Sequence, residues 1–195
     1  NVTVGQWDAV SSGNGVLSVE FVLTISGVYR CQINVLRDGE LTDEEILGSQ
    51  FLLRTKPNII DASKSIAFGN GLSIATSGVA STFSINSRDR YSNFKTGGSG
   101  GLWVATLSLT AAAPGDMSSL AVEDVTGSGM DKGDGSFEIL YTVTRAGEYS
   151  LSVQSSTSED LYLPGTPASV RIYPGRADAS AIHLEGDGVS RASVD

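Results

Sequence analysis

Few side chains in this sequence combine a reactive type with a useful spacing. The only histidine, His183, has no cysteine at a metal-ligand spacing and no acid placed to orient its ring, so it reads as a strand-face residue. Cys31, the only cysteine, is in phase with Tyr29, Ile33 and Val35. On an inward strand face it is a buried small hydrophobe, whereas a reactive thiol needs electropositive, partly exposed surroundings. Gly97-Gly98-Ser99-Gly100-Gly101 has the glycines of a phosphate cradle, but no Lys-Ser or Lys-Thr follows and the next element is a strand. Gly69-Asn70-Gly71 likewise lacks the strand-to-helix setting of a dinucleotide site. Asp131-Lys132-Gly133-Asp134-Gly135 starts like a calcium loop and lacks the later ligands and closing Glu. Asp61 and Asp178 read as solvated edge charges rather than calcium ligands between modules. These residues imply no enzyme, no cofactor and no metal, and leave a structural or binding role.

Composition narrows the partners. The net charge is −9 with no run of basic residues, which argues against nucleic acid, because phosphate binding needs clustered Lys and Arg. No apolar stretch approaches the roughly 18 residues of a membrane span, so direct membrane insertion of this segment is not expected. A single cysteine also excludes an internal disulfide framework. Asn1-Val2-Thr3 is a glycosylation acceptor pattern. With a surface rich in Ser, Thr and Gly, it tilts the expectation towards an extracellular or cell-surface setting over a cytoplasmic one.

The elements that position these residues are strands. Phe137, Ile139, Tyr141 and Val143 alternate with Ser136, Glu138, Leu140 and Thr142, which is the rhythm of one buried and one wet face. Tyr149, Leu151 and Val153 do the same, as do Phe83 with Ile85, and Trp103 with Ala105, Leu107 and Leu109. Turn clusters separate seven expected strands at about 63–68, 80–87, 102–110, 119–125, 136–144, 148–154 and 168–173. The fold class is therefore all-β, an immunoglobulin-like β-sandwich of about seven strands in tandem.

Tandem follows from a repeat. Gly15 to Phe21, then Ser26-Gly27-Val28-Tyr29, returns as Gly135 to Tyr141, then Ala146-Gly147-Glu148-Tyr149, 120 residues later. Asp61-Ala62-Ser63 returns as Asp178-Ala179-Ser180, 117 residues later. Such a period fits beads on a string rather than a solenoid. Residues 1–57 are expected to form the C-terminal half of one repeat, 58–175 a complete repeat, and 176–195 the start of a third. Tyr29 and Tyr149, each following Gly-x, stand where a tyrosine corner ties its hydroxyl back to the turn backbone. Pro57-Asn58-Ile59-Ile60 and Pro174-Gly175-Arg176 are short, proline-stiffened joints, with Ile59 and Ile60 placed to pack between domains.

The run from Asp134 to Val153 resembles the hallmark stretch of filamin-type immunoglobulin repeats, "DGTY-x-V-x-Y-x-PT-x-AGDY-x-I-x-V". Leu163-Pro164-Gly165-Thr166-Pro167-Ala168 and Gly48-Ser49-Gln50-Phe51 occupy the place of the family's "PGSPF". Gly69-Asn70-Gly71-Leu72 and Gly186-Asp187-Gly188-Val189 are similar to its "GPGL". Arg88-Asp89-Arg90-Tyr91-Ser92-Asn93 resembles the "RD-x-x-GN" turn of divergent members, including cell-surface ones.

The resemblance implies a spacer and protein-binding scaffold whose partners are other proteins and neighbouring repeats. It also implies a groove where an extended peptide adds as a strand, edged by Leu102, Val104, Thr106 and Ser108 on one side and Ala121, Glu123 and Val125 on the other. Two other settings share the resemblance: an intracellular cytoskeletal scaffold, actin-linked or ciliary, and a substrate-docking repeat of a ubiquitin ligase.

Overall fold

The computed structural model describes residues 10–11, 13–37, 40–98, 103–114, 123–156 and 162–181. Asn1, Leu102, Ala121 and His183 lie outside them. In chain order the strands are β1 (Val10–Ser11), β2 (Leu17–Ser18), β3 (Gly27–Cys31), β4 (Asn34–Arg37), β5 (Glu40–Glu45), β6 (Phe51–Thr55) and β7 (Ile66–Phe68). They continue as β8 (Ile74–Thr76), β9 (Ser81–Asn86), β10 (Trp103–Ala112), β11 (Val125–Asp131), β12 (Ser136–Tyr141), β13 (Gly147–Ser155) and β14 (Ala168–Tyr173). Strands β7 to β14 form one eight-stranded sheet in the order β7-β9-β12-β11-β10-β13-β14-β8.

Two-residue periodicity decides which way each strand faces. Phe83, Ile85, Phe137, Ile139 and Tyr141 point inward from one half of the sheet. Trp103, Leu107, Tyr149, Leu151, Val153 and Ile172 meet them from the other, all at 3% exposure or less. Each such side chain stabilises the fold by about 1.5–3 kcal/mol through removal of apolar area from water. The buried tyrosine hydroxyl is satisfied, since Tyr141 donates to the Gly71 carbonyl at 2.6 Å. The two layers are not separate sheets. Val104 to Leu107 of β10 pair with Ser128 to Val125 of β11, so the sheet curls continuously from one layer into the other.

Three sequence expectations change within the main sheet and the residues leading into it. The fourth element, expected at 119–125, is β11, Val125–Asp131. Its Gly127 and Gly129 sit where the curl brings the two layers together. A Cβ on Gly129 would meet Ile139 Cδ1 and Trp103 O at 2.9 Å. The edge strand β8, parallel to β14, was not expected, and it raises the sheet from seven strands to eight. Its three residues are too few to show a period. Ile60 does not pack in the joint but joins the core at 4% exposure, while Ile59 is 75% exposed.

The N-terminal segment forms smaller pairs, β1 with β2, β3 with β6, and β4 with β5. Val22, Val28 and Leu52 are exposed there, and Cys31 is partly exposed rather than buried. No described element covers that face of the β3–β6 pair.

Candidate functional site

Among the described residues, the most densely hydrogen-bonded polar cluster lies where the N-terminal segment meets the main sheet. It is carried by the turn after β9. That turn is held by Asp89 N–H donating to the Asn93 carbonyl at 3.0 Å and Ser92 N–H donating to the Asp89 carbonyl at 2.8 Å. Ser92 takes a positive φ of 68° to close it. Arg88 Nη1 donates to the Ser92 carbonyl at 2.8 Å, and the Arg90 guanidinium stacks on the Tyr91 ring at 4.6 Å.

Asp89 is 1% exposed, and its carboxylate has enough donors to remain charged there. Oδ1 accepts from the N–H groups of Tyr91 and Asn93, both at 2.9 Å. Oδ2 accepts from Asn58 N–H at 2.8 Å, across the linker. Asn93 Nδ2 reaches both oxygens, at 3.1 and 2.9 Å. Burial alone would raise the Asp89 pKa, but hydrogen bonds from the Asn93 side chain and from the backbone of Asn58, Asn93 and Tyr91 outweigh it and hold it below 3.8.

Asn93 then crosses to the N-terminal segment. Its Nδ2 donates to the Thr24 carbonyl at 2.8 Å and its Oδ1 accepts from Ser26 N–H at 2.9 Å. One carboxamide thus straddles Ile25 and reads the backbone as a neighbouring strand would. Lys95 Nζ adds a bond to the Asn58 carbonyl at 2.7 Å. The Ile25 carbonyl accepts from Tyr29 Oη at 2.6 Å, which fixes the turn that Asn93 reads. A cleft of about 280 Å³ opens beside this knot, lined by Leu23, Thr55, Pro57 and Tyr91 among others.

Local geometry recurs along the chain. Tyr149 Oη donates to the Arg145 carbonyl at 3.0 Å, the same four-residue tie as at Tyr29. The β3–β6 register pairs Gly27 with Thr55, and the β13–β14 register pairs Gly147 with Ile172, at the offsets of the sequence repeat. Asp61 Oδ1 accepts from Ser63 N–H and Oγ at 2.9 and 2.6 Å. Asp178 does the same with Ser180 at 2.9 and 2.8 Å. These carboxylates cap short 3-10 turns at 62–64 and 179–181.

The family model that matches is the Filamin/ABP280 repeat, over residues 59–167. The chain belongs to this filamin repeat family. Among solved structures it is similar to InvD of Yersinia pseudotuberculosis, with 22% identity, TM-score 0.52, and coverage of 93% of this chain and 48% of that one. It is also similar to the Lin-41 filamin domain, with 16% identity, TM-score 0.44, and coverage of 62% of this chain and 100% of that one. A third is invasin, described as a bacterial integrin-binding protein, with 16% identity, TM-score 0.48, and coverage of 88% and 31%. The chain spans about half the length of the InvD structure, and at that identity the likeness concerns the fold alone.

Within the filamin repeat, the expected groove residues fall in different environments. Val104 and Thr106 lie on a part of β10 that is paired on both sides, Thr106 with Thr126 of β11 and Ser152 of β13. Glu123 precedes β11 and Val125 begins it. Ser108 lies beyond the β11 register. From there to Ala112, β10 pairs with β13 and has no partner on its other side among the described residues. Asp131 and Asp134 do not converge. Asp131 Oδ1 accepts from Gly133 N–H, and Asp134 Oδ1 from Ser136 N–H and Oγ. Hydrogen bonds from the Ser136 side chain and backbone hold the Asp134 pKa below 3.8.

Sequence reasoning singled out the Asp89–Asn93 turn only as a family motif. The signal for its role was an acid and an amide four residues apart, directly after a strand that leads out of the core.

Proposed function

We propose that this chain is a non-enzymatic spacer and protein-interaction module from a tandem filamin-type array, displayed at a cell surface. Residues 1–57 form the C-terminal half of one repeat, 58–175 a complete repeat, and 176–195 the start of a third. The observation that carries this reading is the recurrence of register, tyrosine tie and aspartate cap at matched positions. A tie made by side-chain and backbone hydrogen bonds across a short linker holds a spacing, which is what a spacer must do.

Partners dock by strand addition along β10 from Ser108 to Ala112, which has no partner on its outer side among the described residues, since main-chain hydrogen bonds need an unpaired edge. The surface setting rests on the Ser/Thr/Gly-rich surface and on Asn1-Val2-Thr3. It is tested by labelling intact cells with a membrane-impermeant amine reagent and reading the glycan mass on Asn1. Surface labelling and a glycan are expected. A native protein protected from the reagent and co-sedimenting with actin would move the reading to a cytoskeletal scaffold.

A further inference from the structure

The turn read by Asn93 has a counterpart one repeat later. Thr24, Ile25 and Ser26 correspond to Thr144, Arg145 and Ala146 through the sequence repeat that aligns Tyr29 with Tyr149. Both turns are fixed by the same tyrosine hydroxyl tie to their middle residue, Ile25 and Arg145. At the first turn, the flanking carbonyl of Thr24 and N–H of Ser26 are both taken by the Asn93 carboxamide. At the second, Thr144 is exposed, and neither its carbonyl nor the Ala146 N–H has a hydrogen-bond partner among the described residues.

We infer that the Thr144–Ala146 turn is a receptor for a carboxamide carried by the following filamin-type repeat, at the position equivalent to Asn93. This rests on the tandem reading above. The chain length needed to deliver that group is conserved within the molecule. The Asp61 cap lies six positions after Thr55, and the Asp178 cap six positions after Ile172. The chemistry favours an amide over other polar groups, because a peptide-like pair needs one donor and one acceptor at fixed separation. A carboxylate there would accept from Ala146 N–H but face the Thr144 carbonyl with no proton to donate. Arg145 replaces Ile25 at the centre of the turn and brings a positive charge to where the partner's Asp89-equivalent approaches.

The test extends the full chain at Asp195 with a second copy of residues 79–181, which completes the repeat beginning at Asp178. Backbone amide exchange is then read residue by residue. Ala146 N–H should exchange about tenfold more slowly in the extended chain than in the original, as expected for one gained hydrogen bond. The gain should vanish when the added copy carries the Asn93→Ala change, and fall strongly with Asn93→Asp. If the added copy shows protected core amides yet Ala146 exchanges as before, the receptor is overturned while the tandem reading stands. If the added copy has no protected core amides, both fall together.

Discussion

The two linkers of this chain begin with the same residue, and each proline stands four positions before a capping aspartate, yet they are anchored in opposite directions. Asn58, after Pro57, donates its N–H forward to Asp89 of the repeat that follows. Gly175, after Pro174, donates its N–H to Ser77 Oγ, back into the repeat that precedes. The second linker is pressed so closely on the 76–79 turn that a Cβ at Gly175 would come within 2.9 Å of the Ser77 carbonyl. Proline stiffens both, but direction is set by which neighbour offers an acceptor. Two segments with the same proline-to-aspartate spacing thus differ in anchorage because of the acceptor each one meets.

Substitutions that break one joint and spare the other sharpen this contrast. The largest effect is expected from Gly135→Ala. Gly135 has a φ of 93°, and a Cβ there would lie 1.9 Å from the Lys95 carbonyl, on the segment that carries the Asp89 turn back to the sheet. The change should cost about 3 kcal/mol or more in denaturant unfolding and release the first joint with it. Asp89→Ala comes next, at about 3 kcal/mol, because it leaves the N–H groups of Asn58, Tyr91 and Asn93 without their acceptor. An unchanged midpoint would show that the knot is decorative.

The same carboxylate gives a pH signature. The Asp89 pKa is lowered in the folded state, so its contribution is complete above the unfolded value near 3.9 and is lost as pH falls through the folded value. Asp89→Asn should flatten that acid limb. Tyr141 behaves in the opposite sense. Burial pushes its pKa up to about 12, so between about 10 and 12 the folded state keeps a proton that the unfolded state releases. Stability should fall as pH rises through that window. Tyr141→Phe should remove the alkaline limb while costing about 1–2 kcal/mol at neutral pH through loss of the bond to the Gly71 carbonyl.

The smallest effects compare the linkers directly. Ser77→Ala should cost about 1 kcal/mol and speed amide exchange at Gly175 without touching Asn58. Asn58→Gly keeps the N–H that Asp89 accepts and loses only the exposed bond from Ile59 N–H to Asn58 Oδ1, so with added chain entropy it should cost about 0.5–1 kcal/mol.

What the sequence disclosed and what it hid have a common cause. Inward and outward faces of β9, β10, β12 and β13 were legible because burial imposes a period of two on long strands. The tyrosine ties were legible from Gly-x-Tyr at matched places. The position of β11 was hidden because Gly127 and Gly129 serve the close approach of two layers, a reason that exists only in three dimensions. The pairing of β10 with β11 at Val104–Leu107 was hidden for the same reason, and among the described residues it leaves unpaired edge only at the Ser108 end. Ile60 read as a linker residue because its partner in the core, reached through the bridge to Asp89, lies far along the chain. The joint itself depends on Asn93 meeting Thr24, a contact across 69 residues that no local pattern announces.

The central claim, that Asp89 and Asn93 fix the N-terminal segment against the main sheet, has one direct measurement. Spin labels on Cys31, the only cysteine, and on a Thr142→Cys change at an exposed position beyond β12 report the distance across the joint. A single narrow distance distribution is expected, broadening when Asn93→Ala is added. Distributions equally broad with and without Asn93 would contradict the account.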